Sequence, residues 1–104
     1  MTPALLLWPE ARTDIREARE RYEEHRDGLG REFLAAVREV LATVEEFPLR
    51  FPRVRGEVRR APLHRFPYAV LYIPDEEMTV VIACFHARRD PLRWQARLLK
   101  RRSL

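Results

Sequence analysis

Residues 66–91, FPYAVLYIPDEEMTVVIACFHARRDP, decide the fold. Side chains alternate sides along a strand, so Tyr68, Val70 and Tyr72 share one face and Ala69, Leu71 and Ile73 the other. Pro74-Asp75-Glu76-Glu77 is a turn. Met78 to Phe85 is then apolar on both faces, as a central strand must be, and the tight connection makes the two segments an antiparallel hairpin. Upstream, Val54 to Phe66 is strand-like but polar, with Arg59 and Arg60 inside it. Pro62 removes one backbone donor there, which places this strand at an edge or gives it a bulge. Downstream, Asp90-Pro91 is an N-cap followed by proline at the first helical position, and Trp94 and Leu98 stand at i, i+4 in the helix it opens.

Further towards the N-terminus the period changes from 2 to about 3.6. From Pro9 to Arg26 the apolar positions Ala11, Ile15, Ala18 and Tyr22 form a narrow stripe among charged residues, and Pro9 with Glu10 suits a first helical turn. Asp27-Gly28-Leu29-Gly30 breaks the pattern with residues that end a helix and turn the chain. From Arg31 to Phe47 a second helix carries a broader face, with Phe33, Val37, Val40, Val44 and Phe47 in one row and Leu34 and Leu41 beside it. Pro48 stops it. The short loop makes the pair an antiparallel helical hairpin, whose stripes must cover one face of the sheet. Ala4 to Trp8, apolar and bounded by Pro3 and Pro9, reads as a buried first strand. The order is β-α-α-β-β-β-α, an α+β fold whose mainly antiparallel sheet is covered on one face by the N-terminal hairpin and followed by a short C-terminal helix.

The chain has 104 residues, which suits one domain over 1–104, since domains cluster at roughly 100–150 residues. Its composition, 46% hydrophobic and 35% charged, is that of a globular chain rather than a disordered one. One cysteine, Cys84, excludes an intrachain disulfide and a cysteine-rich zinc site. No apolar run approaches the roughly 20 residues of a membrane helix, and Ala4 to Trp8 lacks the basic leader and cleavage pattern of a signal peptide. A cytoplasmic protein is expected, with no membrane contact.

The net charge of +4 is unevenly spread. Residues 1–52 carry eight arginines against eleven acids, and residues 53–104 carry eleven arginines and Lys100 against five acids. Genome composition accounts for an arginine bias of this kind as well as function does. Guanidinium nevertheless suits bidentate contacts, so the basic second half makes nucleic acid or an acidic protein the natural partner.

Familiar catalytic patterns are missing. Three glycines make no phosphate loop, no His or Cys spacing fits a metal, and Ser103 is the sole serine. Neither metal nor cofactor is expected. Cys84, in the most apolar strand, reads as a core residue, and Trp94 as a packing anchor rather than a base-stacking platform. Polar chemistry concentrates in His86-Ala87-Arg88-Arg89-Asp90, with Arg59, Arg60 and Arg65 able to lie across the sheet from it. Two readings of this cluster stand. His86 can be an acid or base in a basic concavity, the equipment of a metal-free ribonuclease, or a structural histidine beside a local ion pair and helix cap.

Pro9-Glu10-Ala11, Gly28-Leu29-Gly30, Phe33, Phe51-Pro52, Val58-Arg59-Arg60, Arg65-Phe66-Pro67-Tyr68, Tyr72, His86-Ala87-Arg88-Arg89-Asp90-Pro91 and Trp94, in this order, resemble the RelE/ParE toxin superfamily, often labelled plasmid stabilisation proteins. The resemblance covers Trp8 to about Arg97. It implies a bacterial type II toxin with a cognate antitoxin, alone, as a dimer or as a heterotetramer. It also implies one of two activities: RelE-like cleavage of mRNA on the ribosome, or ParE-like poisoning of DNA gyrase without a nuclease site. The RelE-like arginine after the aromatic of the third strand falls at Ala69. Arg60 and Arg89 match basic positions, and the tyrosine of the last segment has only Trp94 and Gln95 nearby. The resemblance therefore favours ParE, with Arg59, Arg60, Arg65, Arg88, Arg89 and Arg93 as contacts for target or antitoxin. A ribonuclease using Arg60, His86 and Arg89 is the alternative, and a non-toxic binding module on the same fold a second one.

Overall fold

A computed structural model describes residues 4–89 and 93–102. Strand β1 (Ala4–Leu7) leads into helix α1 (Pro9–His25) through Trp8, whose extended backbone and the following Pro9 at the first helical turn set the entry. Ala11, Ile15 and Ala18 are the buried stripe of α1. Helix α2 spans Leu29–Glu46 and buries Phe33, Val37, Val40 and Val44. It starts two residues before the expected Arg31, because Gly28 turns the chain in the left-handed region (φ 90°) and Gly30 already lies in the first turn. A Cβ on Gly30 would stand 2.8 Å from the Arg19 carbonyl oxygen, so only glycine lets the two helices approach this closely. The Glu23 carboxylate accepts from the Gly28 and Gly30 amides, both at 3.0 Å, and so caps α2 from the end of α1. Phe47, expected in the α2 row, is 46% exposed: α2 stops at Glu46, and the Phe47 ring turns outward beneath the Arg50 guanidinium, 4.7 Å from its centroid.

The sheet contains β2 (Arg53–Arg55), β3 (Val58–Pro62), β4 (Tyr68–Ile73) and β5 (Met78–His86) in the order β1-β5-β4-β3-β2. The polar stretch Val54 to Phe66 is thus two strands, folded back at Gly56 (φ 53°), with β2 at the edge and β3 inside. All pairs are antiparallel except β1 with β5. This parallel strand is not buried as its composition suggests: it occupies the other edge, and Leu6 is 46% exposed because only one side has a neighbour.

Register determines what each face carries. Tyr72 pairs with Val81 and Leu71 with Ala83, so Ile82 is an extra residue, a β-bulge. Val81 and Cys84 therefore join the core under the helical hairpin with Val70, Tyr68 and Phe33. Ile82, Ala83 and Phe85 face the opposite side, beneath Trp94 of α3 (Arg93–Arg102). Burying a side chain of this size contributes about 1.5–3 kcal/mol, and both faces have several. The expected cap Asp90-Pro91 lies outside the described residues.

Candidate functional site

Neighbouring arginines on β3 go to opposite faces. Arg59 pairs with Tyr72 on the hairpin side, where its guanidinium donates to the carbonyls of Phe51 (2.6 Å) and Leu49 (3.2 Å). The Tyr72 hydroxyl donates to Pro48 (2.8 Å), so both side chains strap the loop after α2 to the sheet. Arg60 pairs with Leu71 and faces the open side. There it lines a cleft of about 290 Å³ whose floor is Ala69 and Leu71, with Val54 on β2, Phe85 on β5, and Trp94 and Gln95 on α3 as walls. Among the described residues its guanidinium has no hydrogen bond or ion pair. Gln95 is already engaged, its Oε1 accepting from Arg55 at 2.7 Å.

His86 closes the end of this cleft, but its ring is committed. It pairs across the sheet with Tyr68, ring centroids 5.3 Å apart, and the Tyr68 hydroxyl accepts from Arg21 at 3.0 Å. His86 Nδ1 accepts from the amides of Arg88 and Arg89, both at 3.1 Å, and thereby pins the turn after β5. That nitrogen is occupied in holding the turn. Arg88 and Arg89 are exposed on this turn. Arg65 stands apart in the left-handed region (φ 73°), paired with Glu32 at 3.2 Å on the hairpin side. Arg26 and then Arg65 hold the Glu32 carboxyl below its ordinary range by hydrogen bonding. Of the expected site residues, Arg60 faces the cleft, His86 borders it with its ring turned to Tyr68 on the hairpin side, Arg88 and Arg89 lie on the turn beyond it, Arg93 lies over Phe85 (5.5 Å), and Arg59 and Arg65 belong elsewhere.

Two features escaped sequence reading. The first is a groove of about 320 Å³ along the helical hairpin: Leu7, Ile15, Leu34 and Leu41 line its apolar part, and Arg12, Arg16, Arg19 and Arg38 surround it. Among the described residues none of these four guanidinium groups makes a hydrogen bond or an ion pair, and Arg19 acts on the Glu23 carboxylate through its charge alone. The i, i+4, i+7 spacing of Arg12, Arg16 and Arg19 was the available signal. The second is Arg97, whose guanidinium reaches back from α3 to the Asp14 carboxylate on α1. Burial, and then the Asp14 charge, push the Cys84 thiol up to about 12, which leaves it a protonated core group. Among the described residues no three His, Cys, Asp or Glu side chains gather as a metal site would need, and no helix is long and apolar enough to cross a membrane.

The family described as the ParE toxin of the type II toxin-antitoxin system parDE matches residues 5–91. The chain belongs to the ParE toxin family. No curated protein matches it. Among solved structures this ParE-family toxin resembles the chromosomal ParDE system of P. aeruginosa, with 15% identity and a TM-score of 0.61 over 82% of this chain and 96% of that one. It also resembles the RelBE2 toxin-antitoxin complex of Mycobacterium tuberculosis, with 18% identity and a TM-score of 0.57 over 83% of this chain and 99% of that one. At such identities the likeness carries the α+β fold of the RelE/ParE superfamily and not the activity. In this ParE-family toxin, the position where a RelE-like arginine is expected carries the methyl group of Ala69, 3% exposed on the cleft floor.

Proposed function

We propose that this toxin acts in the cytoplasm on DNA gyrase, without catalysis of its own, and that a cognate antitoxin silences it. The observation that carries the reading is the cleft floor. Ala69 offers no cation to a scissile phosphate, and among the described residues Arg60 is the one arginine that lines the cleft, so these residues do not assemble the paired acid, base and phosphate-clamping groups that metal-free RNA cleavage needs. Supercoiling by purified gyrase is the direct test: loss of supercoiled product with added toxin is expected, and unchanged supercoiling at saturating toxin refutes it.

The same cleft supports a second reading, since Arg60 and His86 do share it. A ribosome-dependent mRNA endonuclease would use these two with Arg89, and programmed ribosomes would then yield cut message that His86→Ala and Arg89→Ala abolish. Normal growth on induced expression without antitoxin would instead favour a binding module that poisons nothing.

For the antitoxin, the supporting feature is the arginine-rimmed groove on the helical hairpin. Its apolar floor and four arginines, none in a hydrogen bond or ion pair among the described residues, suit an acidic amphipathic segment laid between the helices, by charge and by shape.

A further inference from the structure

We infer that the open-face cleft is a protein-docking pocket, which takes an acidic segment with an apolar side chain beside its carboxylate and not a nucleotide. For its biological target the inference rests on the toxin reading above; for its ligand class it stands on the cleft's own chemistry.

Single-stranded nucleic acid is held by aromatic faces on which bases stack. Both aromatic rings here are withdrawn, Phe85 and Trp94 each being only 6% exposed. The Phe85 ring is moreover covered by guanidinium groups, Arg97 at 4.7 Å and Arg93 at 5.5 Å from its centroid. The apolar surface within reach is aliphatic: Val54, 44% exposed at the rim, above a floor of Ala69 and Leu71 that is itself only 3% exposed. A phosphodiester would satisfy Arg60 and leave that apolar surface wet.

A carboxylate flanked by a leucine-like side chain satisfies both. Arg60 presents a planar fork that no other described group engages, which is the geometry for a bidentate carboxylate contact. Gln95, held by Arg55, does not compete for it. Around the cleft, Arg55, Arg88 and Arg89 are all exposed, so the field on this face draws an acidic segment in. A second copy of this chain is a poor occupant, because its corresponding face has the same charge.

The test uses the full-length chain, isotopically labelled and observed by NMR. It is titrated with a capped pentapeptide bearing one glutamate between two leucines, and separately with a pentaribonucleotide. The Ala69 and Leu71 methyl signals and the Gln95 side-chain amide are expected to shift with the peptide, and Arg60→Gln to raise the half-saturating concentration about tenfold. Unshifted Phe33 and Val44 signals confirm that the variant is folded. The inference is overturned if the oligonucleotide moves these signals and the peptide does not, if neither does, if Arg60→Gln leaves the peptide response unchanged, or if the signals move with toxin concentration alone. Peptide binding with unaffected gyrase would sink the gyrase reading and leave the pocket assignment standing. Gyrase inhibition that is equal for wild type and Arg60→Glu, without peptide binding, would sink only the pocket assignment.

Discussion

Asp14 on α1 and Arg97 on α3, 83 residues apart, form a bidentate pair at 2.7 and 3.1 Å that closes the open edge of β5. Strand β1 stops pairing at Leu7 with Val81, and the bulge at Ile82 follows at once. Beyond it the Cys84 amide donates to Asp14 (3.1 Å), and the Ile82 carbonyl accepts from Arg97 (3.0 Å). Side chains thus take over where the neighbouring strand ends, and the backbone groups of the edge stay satisfied. One turn further along each helix, Glu10 and Arg101 make a second pair at 2.9 Å, with the Arg101 guanidinium 3.9 Å from the Trp8 ring centroid.

From this follows an unequal response to mutation. The Asp14 and Arg97 side chains are 9% and 15% exposed, so removing either leaves a nearly buried charge and an orphaned backbone group. Asp14→Ala and Arg97→Ala should each cost about 3 kcal/mol in denaturant unfolding, whereas Glu10→Ala, at a pair some 40% exposed, should cost under about 1 kcal/mol. A double-mutant cycle on Asp14 and Arg97 checks the coupling, and additive losses would contradict it.

Alkaline stability should be governed by the core. Burial raises the Cys84 thiol from 9.0 to about 12, and burial likewise raises the phenols of Tyr22 and Tyr72. Between pH 9 and 12 the unfolded chain releases the thiol proton and the folded one keeps it, so stability is full below about pH 9 and falls as pH rises through this window. The slope is about 1.4 kcal/mol per unit for one proton. Cys84→Val should flatten it in unfolding measured at pH 8 to 11; an unchanged slope would contradict the assignment.

Gly30→Ala should loosen the helical hairpin. The added methyl group would meet the Arg19 carbonyl oxygen at 2.8 Å, backbone that yields only if the helices separate, for a cost of about 1–3 kcal/mol. Thermal unfolding with helicity as readout would show it. The same methyl at Gly28 meets nothing within 4 Å, and its cost would come from the left-handed φ of 90°.

Periodicity made the helices and the β4–β5 hairpin legible, because each element turns a continuous stripe to one core. It failed where position in the sheet decides. Ala4 to Leu7 has the composition of a buried strand and lies at an edge; Met78 to Phe85 is apolar on both faces, which hides the Ile82 bulge. Arg59 and Arg60 look alike in sequence, and only the register with Tyr72 and Leu71 separates a loop strap from a cleft wall. The Asp14–Arg97 pair leaves no local trace, since it exists only once α3 has docked.

The groove and the cleft lie on opposite sides of the sheet, so mutations in them should separate antitoxin binding from toxicity. Arg16 and Arg19 border an apolar floor and make no hydrogen bond or ion pair among the described residues, and Arg16→Glu with Arg19→Glu would place two acids where an acidic segment must approach. Antitoxin affinity should fall at least about tenfold, mainly through slower association, and the wild-type affinity should weaken as salt rises. Arg60→Glu should leave that affinity unchanged, because no residue lines both the groove and the cleft. Titration calorimetry across a salt series reads both arms. Equal losses for the two variants would mean that a single antitoxin segment spans both faces, and no loss for either would place the antitoxin outside the groove.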